Sequence, residues 1–442
     1  MKALKEQVKD VKNRKEITLE RPVRYKYTTE ELMELIDLFQ VSKSAQEKIK
    51  EILQGEATPP CADPLFRYYN EHSKVVQFEK EFAHHLGVKY ALGVNSGTSA
   101  LIAALVALGI GPGDEVIVPG YTFFASVSAI VVARAIPVIA EIDESLTIDP
   151  EDIKKKITPR TKAIMVVHMQ GHPARMDQIK EIAREHNLYI IEDTAQACGG
   201  KYQGKYLGTW GEVGCISLDA YKVIGSGEGG VVITDDEWLY TRAQSWHDTA
   251  ACWRPDRYAK ERREGELFCG ENYRMSEMSG AIALAQLRKL DWINNTTRQF
   301  YHQLREEVKL PACAHWIEPA DPAGVCGYSL GIIFDQVDQA IQAIKADIGL
   351  GGLAGGGVRG ARDWHVYWYW EHILNFKTVT SEGCPFRCPH VKELPQYHED
   401  MCPRTKDIML RTTFFSIAPT DTSEWISQQA QILTKRLNEL FS

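Results

Sequence analysis

Between residues 90 and 235, short runs of β-branched residues alternate with stretches of helical periodicity, and that alternation leaves few architectures open. The runs fall at 90–94, 116–118, 137–142, 163–168, 188–192, 214–218 and 230–234, with helical patterns near 98–109, 123–134 and 174–186. Strand–helix units of this kind build a largely parallel sheet covered by helices, because a parallel crossover needs a connection of helix length. The expectation is an α/β large domain. After residue 280 a long helical pattern passes through Leu284, Leu287, Leu290 and Ile293, then a strand at 329–334 and a helix at 337–347, which predicts a smaller α+β domain. Residues 1–60 are charge-rich and read as helical, with Thr28 and Glu31 as a capping box before Leu32, Leu35, Ile36 and Phe39. The expected division is a helical extension at 1–60, a large domain at 61–290 and a small domain at 291–442.

Composition removes several function classes. Lys and Arg total 51 against 59 Asp and Glu, a net charge of −8, whereas a nucleic-acid binder needs a basic excess to neutralise phosphates. The first residues are charged throughout, without the apolar segment of a signal peptide, and the most apolar stretch, 123–140, is interrupted by Ser126, Ser128, Arg134 and Pro137. A cytoplasmic protein without membrane contact is expected. Ten scattered cysteines suit reduced thiols better than a disulfide framework. Cys384, Cys388, His390 and Cys402 approach a metal pattern, but their spacing departs from the paired C-x-x-C of tetrahedral zinc, and Pro385 and Pro389 favour an irregular turn. No metal is expected.

Residues 349–360 hold seven glycines, and GGGVRG at 355–360 matches the dinucleotide pattern G-x-G-x-x-G. A dinucleotide loop follows a strand and opens a helix, whereas this one follows a helix and runs into WHVYWYW at 364–370. A mobile loop is expected there. The aromatic run reads as packing of the small domain, with a platform beside a substrate as the second reading.

Three segments carry chemistry together. NSGT at 95–98 lies between a strand and a helix start, where free backbone N–H groups and the Thr98 hydroxyl suit a phosphate. Asp193 stands just past the predicted carboxyl end of a buried strand, where open α/β sheets bind ligands. Lys222 follows a strand and precedes a glycine-rich turn in SLDAYKVIGSGEGG at 217–230. Such a lysine forms a Schiff base with an aldehyde cofactor, the phosphate turn anchors that cofactor, and the aspartate keeps a pyridine nitrogen protonated. The combination points to pyridoxal 5'-phosphate.

The ordered motifs SGT at 96–98, PGYTF at 119–123, VHMQGH at 167–172, EDTAQ at 192–196, 217–230 and NYRMS at 272–276 resemble the DegT/DnrJ/StrS family of sugar and cyclitol aminotransferases. The resemblance is strong over residues 65–300 and weaker beyond. It implies fold type I of the pyridoxal-phosphate enzymes, that of aspartate aminotransferase, and an amino transfer from an amino acid, L-glutamate by family habit, to a keto or aldehyde group. By the same resemblance Lys222 is the Schiff-base lysine, Asp193 partners the pyridine nitrogen, Gln196 neighbours the ring oxygen and Phe123 stacks on the ring. Gly97, Thr98 and Ser217 would bind the phosphate, and Asn272 would reach the cofactor of a neighbouring subunit, which implies a homodimer with shared sites.

Some features depart from the family pattern. The family usually has Phe where this chain has Leu218, and a pair of Thr residues near Gly225 and Ser226. Residues 1–60 and 253–266 look like additions. HMQGHPARMD at 168–177, AQACGG at 195–200 and WHD at 246–248 look most like the branch that aminates an oxidised eight-carbon sugar acid. A sugar dehydratase on this fold typically has His at the position of Lys222, and a regulatory relative would have lost the lysine, the aspartate or the phosphate turn. For the acceptor, Arg67, His247, His365, Tyr367 and Arg411 are the candidates, as residue types that meet hydroxylated or acidic substrates.

Overall fold

A computed structural model describes residues 28–55, 72–251, 260–353 and 362–441. The chain divides into two compact units, Met1–Asn70 and Glu71–Ser442. In the first, helices Thr29–Leu38 and Lys43–Gly55 are described. Thr28 caps the former with the expected box, its backbone N–H donating to Glu31 Oε2 at 2.7 Å.

The second unit is built on a seven-stranded sheet. Its strands are β1 (Tyr90–Val94), β2 (Glu115–Pro119), β3 (Ile136–Ala140), β4 (Thr161–Val167) and β5 (Tyr189–Asp193). A short hairpin of β6 (Lys201–Tyr202) and β7 (Lys205–Tyr206) stands apart, and β8 (Val213–Ser217) and β9 (Gly230–Thr234) complete the sheet. The order is β1-β9-β8-β5-β4-β2-β3, with β3, β2, β4, β5 and β8 parallel and β9 antiparallel to both β8 and β1. The central strands are buried on both faces, as their continuous Val and Ile content requires, and each such side chain contributes ~2 kcal/mol on burial.

The covering helices differ according to what they face. Gly97–Ala107 is apolar around its circumference and buried along nearly all of its length. Met176–His186 buries only Met176, Ile179, Ile182 and Ala183, and ends on Asn187 in the left-handed conformation. Because of the parallel order, β1, β2, β4, β5 and β8 all end at one edge of the sheet. The sequence-predicted strands lie within one or two residues of the observed ones.

A second, antiparallel sheet has the order β10-β11-β13-β12, from β10 (Ala314–Trp316), β11 (Ser329–Phe334), β12 (Leu350–Gly352) and β13 (Thr412–Ser416). Leu330, Ile332 and Phe334 pack there with Phe300, Tyr301 and Leu304 of helix Leu290–Glu307 and with Leu433 and Leu437 of helix Ser423–Phe441. The aromatic run 364–370 goes elsewhere. Val366, Tyr367 and Trp370 are buried with Val118, Ile139 and Ile142 of the large sheet's core, joined to it by a bridge between Tyr121 and Val366. The glycine-rich stretch 355–360 lies outside the described residues.

Candidate active site

The carboxyl edge of the large sheet opens into a cavity of ≈ 160 Å³. Its lining includes Gly97, Thr98, Phe123, Asp193, Gln196, Ser217 and Lys222, seven of the eight residues expected at a cofactor. Each arrives by a different local device.

The turn at 96–98 is fixed by close packing. Ser96 caps helix Gly97–Ala107, accepting from the Ser99 N–H at 3.0 Å, and leaves the helix start facing the cavity. A Cβ on Gly97 would stand 2.7 Å from Ser217 Cβ, so only glycine allows the turn to lie against the end of β8. Ser217 in turn pairs with Gly230 across β8 and β9. Helix-start amides beside two hydroxyl side chains form an anion cradle.

Asp193 is the last residue of β5 rather than one past it, and it is 4% exposed. Its Oδ2 accepts from Ser126 Oγ at 2.7 Å and its Oδ1 from the Ala195 N–H at 3.0 Å. Burial pushes its carboxyl above the ordinary range, while those two hydrogen bonds and the charge of Lys222 act the other way. A cation held against this carboxylate would oppose the effect of burial, which is what a protonated pyridine nitrogen offers. The residues present therefore fit pyridoxal phosphate.

Lys222 is held by a turn folded on itself. The Lys222 N–H donates to the Asp219 carbonyl at 3.0 Å, Ser226 N–H to the Leu218 carbonyl at 2.8 Å, and Gly227 adopts φ +85°. Lys222 is half-buried and lines the cavity, and among the described residues no side chain hydrogen-bonds or ion-pairs with its Nζ. Leu218, which stands where the family usually has Phe, is fully buried with Ile216 and Ile224. Gln196 Oε1 accepts from the Gln170 N–H at 3.0 Å, and Tyr328 donates to the Gln196 carbonyl at 2.9 Å. Phe123 is 49% exposed, a large apolar ring left facing the opening.

A wider cavity of ≈ 960 Å³ adjoins the first and shares Phe123, Gln196 and Lys222. Among the acceptor candidates, His365 lines it, its ring 5.2 Å from that of Phe123 and its Nδ1 2.8 Å from Asp363 Oδ1. The other described candidates lie outside both cavities. His247 is buried, donating from Nδ1 to the Gln244 carbonyl at 2.7 Å, and Tyr367 is buried with its hydroxyl on the Glu399 carbonyl at 2.8 Å. Arg411 binds Asp407 at 2.6 Å and the Phe334 carbonyl at 2.8 Å. Arg67 lies outside the described residues. Asn272 is exposed and away from the cavities, paired by backbone with Asp248.

Sequence reasoning missed Ser126, Thr122, Gln170 and Tyr328. Ser126 and Thr122 stand four residues apart at a helix start, a spacing that brings them together, but the serine reads as a break in an apolar run. Of the four residues weighed for zinc, Cys402 is buried with its thiol toward the Ile139 carbonyl, and Cys384 is exposed.

Residues 67–323 match the model of the DegT/DnrJ/EryC1/StrS aminotransferase family. GDP-perosamine synthase of Escherichia coli O157:H7 is 41% identical over 260 residues, 59% of this chain and 67% of that protein. L-glutamine:2-deoxy-scyllo-inosose aminotransferase of Streptomyces kanamyceticus is 39% identical over 236 residues, 52% of this chain and 55% of that protein. The matches thus span about half to two thirds of these relatives' lengths. The solved structure of S. venezuelae DesV in complex with a ketimine intermediate superimposes with a TM-score of 0.65 at 29% identity, over 82% of this chain and 89% of that one.

Proposed function

The chain belongs to the DegT/DnrJ/EryC1/StrS aminotransferase family, and from that premise we propose that it is a pyridoxal-phosphate-dependent aminotransferase acting on a sugar, sugar acid or cyclitol. One observation carries the reading. An amine without a described partner, Lys222 Nζ, stands at the rim of a cavity that contains a buried carboxylate, Asp193, and an anion-binding helix start. When bound, pyridoxal phosphate supplies an aldehyde that condenses with amines and a ring that withdraws electrons.

The chain's own residues do the rest. Gly97, Thr98 and Ser217 would hold the phosphate, and Phe123 would lie against the ring. Gln196 donates to the ring oxygen, its own Oε1 being taken by the Gln170 N–H. Asp193 would accept the hydrogen bond of the ring nitrogen and, as a carboxylate, favour that nitrogen's protonated form. Lys222 would hold the aldehyde end of the cofactor, and its amine is the group that would move a proton at the donor's α-carbon. The chemistry the bound group would supply is the carrying of an amino group from an amino acid to a carbonyl acceptor.

L-glutamate is the donor to test first. The acceptor enters through the wider cavity beside His365, and Asn272 completes the site of a second copy in a homodimer. No described helix is long and apolar enough to cross a membrane, and the cytoplasm is the proposed location.

The test is the absorbance spectrum of the purified protein and of Lys222→Ala, before and after adding L-glutamate. A yellow band in the wild type that bleaches with glutamate and is absent from the variant is the expected result. A wild type that takes up no pyridoxal phosphate overturns the reading.

A further inference from the structure

Asp193 does not stand alone in the cavity wall. Its Oδ2 is met by Ser126, which is 1% exposed on the first turn of helix Ala125–Val132, and Ser126 Oγ is met by Thr122 Oγ1 at 2.7 Å. Thr122 is fully buried. An ionised carboxylate has no proton to give, so the single Ser126 proton goes to Asp193 and Thr122 donates to Ser126. The hydroxyls thus form a one-way relay that ends on the carboxylate. Phe123 sits between the two in sequence, so one short segment supplies both the ring's apolar cover and the support of its polar partner.

We propose that Ser126 is a positioning residue: its hydroxyl holds Asp193 ionised and aimed at the cavity, with Thr122 orienting that hydroxyl. The inference rests on the pyridoxal-phosphate reading of the cavity. Lys222 from the β8–β9 turn, His168 after β4, Glu192 on β5 and Cys215 on β8 are the other titratable groups around Asp193. Of the influences that oppose burial at Asp193, the Ser126 hydrogen bond is the largest. Without it, Asp193 holds its proton to higher pH and grips the ring nitrogen less.

The experiment compares wild type, Ser126→Ala, Ser126→Thr and Thr122→Val as holoenzymes. Two readouts are taken: the rate of cofactor release on dilution, followed by visible absorbance, and the acid limb of kcat against pH. A charge-assisted hydrogen bond lost from a buried carboxylate predicts roughly tenfold faster release from Ser126→Ala and an acid limb about one pH unit higher. Ser126→Thr keeps the hydroxyl and is expected near wild type, and Thr122→Val shifts both readouts in the same direction by less.

A merely packing serine would lower stability without moving the acid limb. The inference is overturned if Ser126→Ala matches wild type in both readouts, or if Ser126→Thr behaves as Ser126→Ala. Should Ser126→Ala fail to fold, an unshifted Thr122→Val overturns it. A wild type that takes up no cofactor overturns the reading of the site, and this inference with it.

Discussion

Glu192 and Asp193 are neighbours on β5, both buried, and they point into two different surroundings. Glu192 is closed. Its Oε1 accepts from the Trp210 and Gly211 N–H groups at 2.6 and 2.7 Å, and its Oε2 from the Gly208 N–H at 2.7 Å and His168 Nε2 at 3.1 Å. The tautomer of His168 follows, because its Nδ1 accepts from the Ala174 N–H at 3.1 Å and only Nε2 is left to donate. Asp193 has two protein donors and faces a cavity that also holds Lys222. Alternation along a strand turns one carboxylate into a knot that ties the 207–212 loop to the sheet and leaves the other facing the cavity. Burial alone does not separate the two carboxylates; unfilled hydrogen-bonding capacity beside a cavity does.

The largest effect should come from the open member. Asp193→Ala is expected to lower turnover roughly a hundred- to a thousandfold, as removal of a preorganised electrostatic partner does, while melting temperature changes little. Steady-state kinetics beside a thermal melt check it, and unchanged turnover would contradict the role. The closed member should answer in the opposite currency of observables. Glu192→Gln replaces one accepting oxygen with an NH₂ group that faces two N–H donors on whichever side it lies. The expected loss is about 3 kcal/mol of stability, read as a lower urea midpoint, and a variant as stable as wild type would break the comparison.

Much of this was legible in the sequence where a single local pattern sufficed. β1, β9 and the strand Ser329–Phe334 fall on the predicted residues because each is a short apolar run legible without help from elsewhere. Gly97, Lys222 and Asp193 sit in short motifs, and the strand ends that carry them share one edge by topology. The hydroxyl support of Asp193 was not legible, since Ser126 and Asp193 are 67 residues apart and a serine in an apolar run carries no sign of its partner. Tyr328 and Gln196, 132 residues apart, are a second case. His247, Tyr367 and Arg411 were chosen by residue type, and tertiary packing turned all three away from the cavity. The same holds for the aromatic run, whose backbone bridge to Tyr121 carries it to the large sheet.

The turn at 96–98 gives a third, smaller effect. In Gly97→Ala the new Cβ meets Ser217 Cβ at 2.7 Å, so the helix start must move away from β8. Cofactor affinity is expected to fall roughly tenfold, the scale of about one hydrogen bond to a charged group, with Lys222 and Asp193 untouched. Titration of the cofactor-free protein with pyridoxal phosphate measures it, and unchanged affinity would mean that the turn does not hold the phosphate.

The smallest effect tests whether His247 belongs with the closed kind. Burial, opposed by its hydrogen bond to the Gln244 carbonyl, pushes its imidazole down to about 4, and burial does the same to His172. An unfolded histidine titrates near 6.5, so below that pH the unfolded state binds more protons than the folded one. The stability each ring contributes is therefore present above about pH 6.5 and is lost as pH falls toward 4, by about 1 kcal/mol between pH 7 and 5.5 for each. His247→Gln does not titrate and should remove one of these two shares, flattening the fall in melting temperature across that interval. An acid slope identical to wild type would show that His247 is already open to protonation in the folded protein, and would move it from the closed group toward the open one.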